Sequence, residues 1–190
     1  MRKILLPVIA FMLAACQTKE QKNNDTVRHG LTDTVADTSA AILKADTAVD
    51  TITYIKQKVE HINTQNIQPE HTEFMCDERM KVDRYFENGK LVKISVDFGT
   101  VGDVYAKEDY YYDNGKLIFK YEFVEGGPAC EGCIKKNEYR SYVADNKVIK
   151  YLKDKNQERC RTCVFEPKAK ENKLIKAKSN QEIEAILCRR

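Results

Sequence analysis

The chain has no tryptophan, only four prolines and only three histidines among its 190 residues. His29, His61 and His71 show no metal-ligand spacing, so histidine-based metal chemistry has no motif to stand on. Long apolar runs are also scarce. After residue 15 no segment supplies the roughly 20 apolar residues that a membrane-spanning helix needs. No phosphate-binding glycine loop, Ser-centred nucleophile elbow or metalloprotease helix motif occurs. Asp and Glu are scattered among Lys, with no pair that can be placed across a cleft for acid/base work. Charge of one sign is missing too: 32 basic residues face 29 acidic ones. That balance leaves no electrostatic footprint for nucleic acid.

What is present begins at the amino end. Met1-Arg2-Lys3 is a short basic stretch, Ile4 to Met12 is apolar, and Leu13-Ala14-Ala15-Cys16 closes the segment with small residues before a thiol. The order is that of an export signal, and the apolar part is too short to remain as an anchor. Leu13-Ala14-Ala15-Cys16 resembles the lipobox of bacterial lipoproteins. The resemblance implies cleavage before Cys16, attachment of diacylglycerol and acyl lipid to it, and a place in the cell envelope. Because Gln17 rather than Asp follows the cysteine, it implies the outer membrane in preference to the inner. One acyl chain binds a membrane only marginally, whereas several anchor it stably. Removing residues 1–15 takes away Arg2 and Lys3, so 32 basic residues become 30 against 29 acidic ones.

Residues 16–45 are rich in Thr, Asp, Asn, Lys and Ala and poor in large apolar side chains, the composition of a disordered tether. From Gln17 to about Leu43 such a tether reaches on the order of 30 Å. Residues 46–190 are then expected to fold as one domain. Val49, Ile52, Ile55, Val59 and Ile62 recur every three or four residues, which predicts a helix from a cap at Asp46 to about Thr64. Its role is to cover a sheet.

The period then changes to two. Val92, Ile94, Val96 and Phe98 alternate with polar residues, after a strand near Met80 to Phe86. Asn88-Gly89 between them is a hairpin turn signal, because both residues tolerate positive φ. The phrase recurs: Tyr85 to Leu91 matches Tyr111 to Leu117, and Tyr142 to Val148 is a weaker copy with Asn146 where glycine stood. The second hairpin should pair Tyr112 with Leu117 and Tyr110 with Phe119. For the first, a three-residue loop with a bulge should pair Val82 with Ile94 and Met80 with Val96. On that basis the copies share turn chemistry but not register, and the repeat does not argue for a solenoid or propeller. Leu174-Ile175 reads as a short strand. Ser179 and Glu182 form a capping box for a terminal helix ending near Cys188.

Six cysteines remain besides Cys16: Cys76, Cys130, Cys133, Cys160, Cys163 and Cys188. An even number in an exported chain points to disulfides, and six allow 15 full pairings. If Ala144 pairs with Lys147, the two Cys-x-x-Cys motifs meet at the open end of the third hairpin. Cys130, Cys133, Cys160 and Cys163 would then also suit a tetrahedral zinc site, the alternative to bridges. A thioredoxin-type centre needs its first thiol at a helix N-terminus, and neither motif precedes a helical pattern. Covalent haem of the usual kind needs a His after the second cysteine, and none is there.

The sequence therefore predicts an α+β domain: a curved antiparallel sheet of about six strands, an N-terminal covering helix and a short C-terminal helix. The expected function is a non-enzymatic, membrane-anchored envelope module, binding or structural. Its partner would be an envelope protein or glycan, with no nucleic acid and no cofactor beyond the lipid on Cys16. The alternatives are thiol–disulfide or metal handling by the two Cys-x-x-Cys pairs, and inhibition of a secreted enzyme.

Overall fold

The computed structural model describes residues 36–188, with side chains from residue 47 onward. The expected export signal, Cys16 and His29 lie outside the described residues. One helix, α1 (Ala36–Thr64), precedes eight strands: β1 (Glu70–Met75), β2 (Arg79–Glu87), β3 (Lys90–Val101), β4 (Val104–Asp113), β5 (Lys116–Gly126), β6 (Lys135–Ala144), β7 (Lys147–Lys153) and β8 (Asn156–Gln157). Two short helices follow, α2 (Lys170–Leu174) and α3 (Asn180–Leu187). The strands form one antiparallel sheet in chain order, each hydrogen-bonded to the next. The α+β class is as expected, but the sheet has eight strands rather than about six. No described helix is long and apolar enough to cross a membrane.

The helix begins at Ala36, well before Asp46. Ala36, Ala40, Ala41, Leu43, Ala45 and Ala48 are strong helix formers, so propensity extends it without an apolar stripe. Ile55 and Ile62 are buried and Ile52 and Val59 half-buried, as the periodicity requires, but Val49 is 62% exposed. Further along, Tyr54 donates to Asp113 (2.8 Å) and Lys58 pairs with Asp113 (3.6 Å) at the tip of the β4–β5 hairpin.

All three repeated hairpins have the same geometry, which corrects the reading of their registers. Asn88-Gly89, Asn114-Gly115 and Asp145-Asn146 are two-residue turns with both φ values positive, the type I′ pattern that matches strand twist. In each, the two ladder pairs beside the turn are regular, and the partner of the next residue then shifts by one. Glu87↔Lys90 and Phe86↔Leu91 are followed by Tyr85↔Lys93; Asp113↔Lys116 and Tyr112↔Leu117 by Tyr111↔Phe119; Ala144↔Lys147 and Val143↔Val148 by Tyr142↔Lys150. Val92, Ile118 and Ile149 are the extra, bulged residues. Hence Val82 pairs with Val96, not Ile94, and Tyr110 pairs with Lys120, not Phe119.

The bulge has a packing consequence. It puts two successive side chains on one face, so Ile118 and Phe119 both join Ile55, Ile62, Tyr111 and Tyr142 in the core beneath α1, with Val92 and Ile149 packed beside them. Tyr111, Phe119 and Tyr142 stand in one row across β4, β5 and β6, ring centroids 5.5 and 5.0 Å apart and edge to face. Each such contact adds about 0.5–1.5 kcal/mol beyond burial. The opposite face carries Val82, Ile94, Val96, Tyr110, Tyr112, Leu117 and Val143 against Phe165, Leu174 and Ile183. The sheet is thus covered on both faces, by α1 and by the C-terminal segment.

Two further local expectations change. Leu174-Ile175 is not a strand: Leu174 ends α2 and is buried beneath it, held by tertiary packing that outweighs local β preference. Ser179 does cap α3, accepting from the Glu182 N–H (3.2 Å), but the Glu182 carboxylate reaches back one residue further than the usual box, to the Lys178 N–H (2.7 Å).

Candidate functional site

The cysteines pair within the chain as Cys76 with Cys188, Cys130 with Cys133 and Cys160 with Cys163, at Cα separations of 5.5, 5.3 and 5.3 Å. Each Cys-x-x-Cys closes on itself. The two motifs do not meet, because Asp154-Lys155 makes another turn with positive φ and folds the chain back along β7. Asp154 secures that turn: its carboxylate accepts from the Glu138 N–H (2.8 Å) and its own N–H donates to the Glu138 carbonyl (2.9 Å). Cys163 therefore lies beside Val148, near the closed end of the β6–β7 hairpin, whereas Cys130 and Cys133 sit in the β5–β6 connection at the open end. The four thiols are not gathered into a zinc-binding set, and no group of three or more metal-ligating side chains occurs among the described residues.

Two clusters of polar residues that sequence reasoning missed flank the sheet. Beneath α2, the buried Lys120 ammonium lies 3.0 Å from Glu171, 3.4 Å from Glu108 and 3.5 Å from Glu122. Lys170 reaches Glu108 (2.7 Å), Arg161 reaches Glu122 (3.2 Å), and the Tyr110 hydroxyl donates to Glu108. Burial alone would raise the Glu108 pKa, but the Lys120 and Lys170 ammoniums overcome it and hold the carboxyl below its ordinary value. Burial alone would lower Lys120; Glu108, Glu122 and Glu171 overcome it and hold the ammonium above its ordinary value. Both groups stay charged, so the cluster is an ionic lock between α2 and β5 rather than a proton-transfer site.

The second cluster borders a groove of about 460 Å³ between α1 and the sheet. Its floor is the row Tyr111, Phe119 and Tyr142, with Tyr121 on the next row of the same face. Lys56, Val59, Glu60 and Asn63 form the helical wall; Lys93, Asp109 and Arg140 form the sheet wall. Asn63 Oδ1 accepts from both the Lys93 ammonium (3.1 Å) and the Tyr111 hydroxyl (2.9 Å). Lys93 lies over the Tyr111 ring (4.9 Å) and near Asp109 (3.7 Å), which also accepts from Ser95. Arg140 lies over the Tyr121 ring (5.4 Å) and donates through Nη2 to Glu138. Its Nη1 is buried and has no hydrogen-bond partner among the described residues. Burial and the bond to Glu138 push the Tyr121 hydroxyl up to about 12, so it stays protonated.

The groove places donors and acceptors on a helix and regular strands, supports that hold side chains more accurately than loops do. Its size falls in the range of small-ligand sites. Part of it carried a signal in the sequence: Tyr111 opens the second copy of the repeated hairpin phrase. Asp109, Lys93 and Arg140 did not stand out, because their meeting depends on pairing across β3, β4, β5 and β6. No protein-family model, no curated protein and no solved structure matches the chain, so the reading of this groove rests on its own geometry.

Proposed function

We propose that the chain is a lipid-anchored envelope module that binds a ligand without transforming it. Cys16 attaches it to the membrane, and the groove under α1 receives the ligand. The observation that carries this reading is the groove itself: a floor fixed by edge-to-face rings, walled by charged and amide groups whose positions are set by α1 and the sheet. The Leu13-Ala14-Ala15-Cys16 segment supports the anchor. A photo-crosslinking residue in place of the exposed Glu60 should capture an envelope component in intact cells, and the adduct should weaken in a Cys16→Ser background. A folded, exported variant that captures nothing would contradict the reading.

A second reading is thiol–disulfide exchange. It is favoured by one observation, that each Cys-x-x-Cys closes within itself and leaves Cys130 and Cys163 exposed to a partner thiolate. Equilibration in glutathione buffers separates the two readings. Structural bridges resist reduction, with potentials below roughly −300 mV, whereas exchange-active pairs titrate within the range of known oxidoreductases.

A further inference from the structure

We infer that the groove under α1 recognises a neutral saccharide, an assignment that rests on the binding-module reading and specifies its ligand. Three features of the walls lead there. First, charge is nearly balanced: Lys56, Lys93 and Arg140 face Glu60 and Asp109. An anionic ligand would meet the two carboxylates, and a cationic one the three cations. A ligand whose every polar group both donates and accepts is served by all of them, and hydroxyl groups have that property. Second, hydrogen-bonding capacity remains. The exposed side chains of Lys56 and Glu60 make no hydrogen bond or ion pair among the described residues, and the buried Nη1 of Arg140, a lining residue, is a further donor without a partner. Third, the half-buried Tyr121 ring offers an aromatic surface beside these polar groups, and the apolar C–H face of a sugar ring packs on such a surface while its hydroxyls turn to the rim.

Other ligand classes fit less well. Peptides are taken up on an open sheet edge, in an apolar groove with side-chain pockets, on exposed aromatic ridges, or by clusters of one charge. This groove lies on the sheet face, its rings Tyr111, Phe119 and Tyr142 are between 3% and 7% exposed, and its charges are mixed. A lipid chain or other apolar molecule would have to desolvate Lys93, Asp109 and Arg140 with no return.

The lack of tryptophan makes the test direct. In the detergent-solubilised full chain, Gln57→Trp places a single fluorophore on the exposed side of α1, next to the groove-lining Lys56 but outside the lining itself. It is titrated with neutral gluco-, manno- and chito-oligosaccharides, with acidic alginate and hyaluronan oligomers, and with a mixed casein peptide digest. The expected result is a saturable emission change with at least one neutral oligosaccharide and a Kd on the order of 0.1–1 mM. Arg140→Met and Tyr121→Ala should weaken it about tenfold or more, while Tyr121→Phe, which keeps the ring, retains it. Circular dichroism and the intact-protein mass report folding and bridges. If Tyr121→Ala does not fold, Lys56→Ala on the exposed helix face replaces it, with about threefold weakening expected. A response to acidic saccharides or peptides alone overturns the saccharide assignment and leaves the groove as a binding site. A response to nothing, or one that Arg140→Met leaves unchanged, overturns the site as well.

Discussion

Lys120 sits where an alternating strand would place a core residue, and it is 7% exposed. The bulge at Ile118 explains this: it shifts the register so that Phe119 packs under α1 and Lys120 turns to the opposite face, beneath Glu171. Removing one partner of a buried ion cluster leaves the others uncompensated, at a cost of about 3–5 kcal/mol. Lys120→Met should therefore lower stability by that amount in urea unfolding; a loss under about 1 kcal/mol would mean the lock contributes little. The same cluster sets a pH dependence. Glu108 is lowered from 4.5, so its contribution is complete above that value and is lost as pH falls through the lower folded value. Lys120 is raised from 10.5, so its contribution is complete below that value and is lost as pH rises through the higher folded value. Urea midpoints measured across pH should form a plateau between these limits, and Lys120→Met should flatten the fall on both sides.

At the scale of elements, the hairpin with its bulge is the unit. The turns were legible in Asn88-Gly89 and Asn114-Gly115, because positive φ demands particular residues. The bulges were legible only in part: one was expected in the first hairpin, but with a three-residue loop and so in the wrong register, because an inserted residue leaves no chemical mark when Val92, Ile118 and Ile149 are as apolar as their neighbours. Asp154-Lys155 was missed for a related reason: lysine is a poor turn residue, and the turn is held by Asp154 bonding to Glu138 across the sheet. Missing it brought the two Cys-x-x-Cys motifs together wrongly. The turn requirement can be tested at Gly115, where φ is +78° and an added Cβ meets nothing within 4 Å. Gly115→Ala therefore carries only backbone strain, about 1–2 kcal/mol. A Tm decrease of about 2–8 °C is expected in a thermal melt, and an unchanged Tm would show that the turn tolerates a side chain freely.

At the scale of the whole molecule, Cys76–Cys188 joins the β1–β2 turn to the end of α3 and closes 112 residues, whereas the other two bridges each span three. Chain-entropy reasoning assigns about 5 kcal/mol to the long closure and about 1.6 kcal/mol to each short one. Replacing Cys76 and Cys188 together by Ala should lower the urea midpoint at least twice as far as replacing either Cys-x-x-Cys pair. Equal effects would mean the C-terminal layer is held by packing on Phe165, Leu174 and Ile183 alone. The covering helix, the meander and the α3 cap could be read from local periodicity and turn chemistry. The groove could not, since it is made by residues far apart in sequence that only the register brings together.

The proposed function requires a folded domain held at a membrane by Cys16. The most direct measurement is lipid labelling with membrane fractionation of the wild-type chain and Cys16→Ser, using an alkyne fatty acid and circular dichroism of the purified proteins. A labelled wild-type chain in the membrane pellet and an unlabelled, folded Cys16→Ser chain in the soluble fraction are the expected result. Label that persists in Cys16→Ser, or a folded Cys16→Ser chain that stays in the pellet, would contradict anchoring through Cys16.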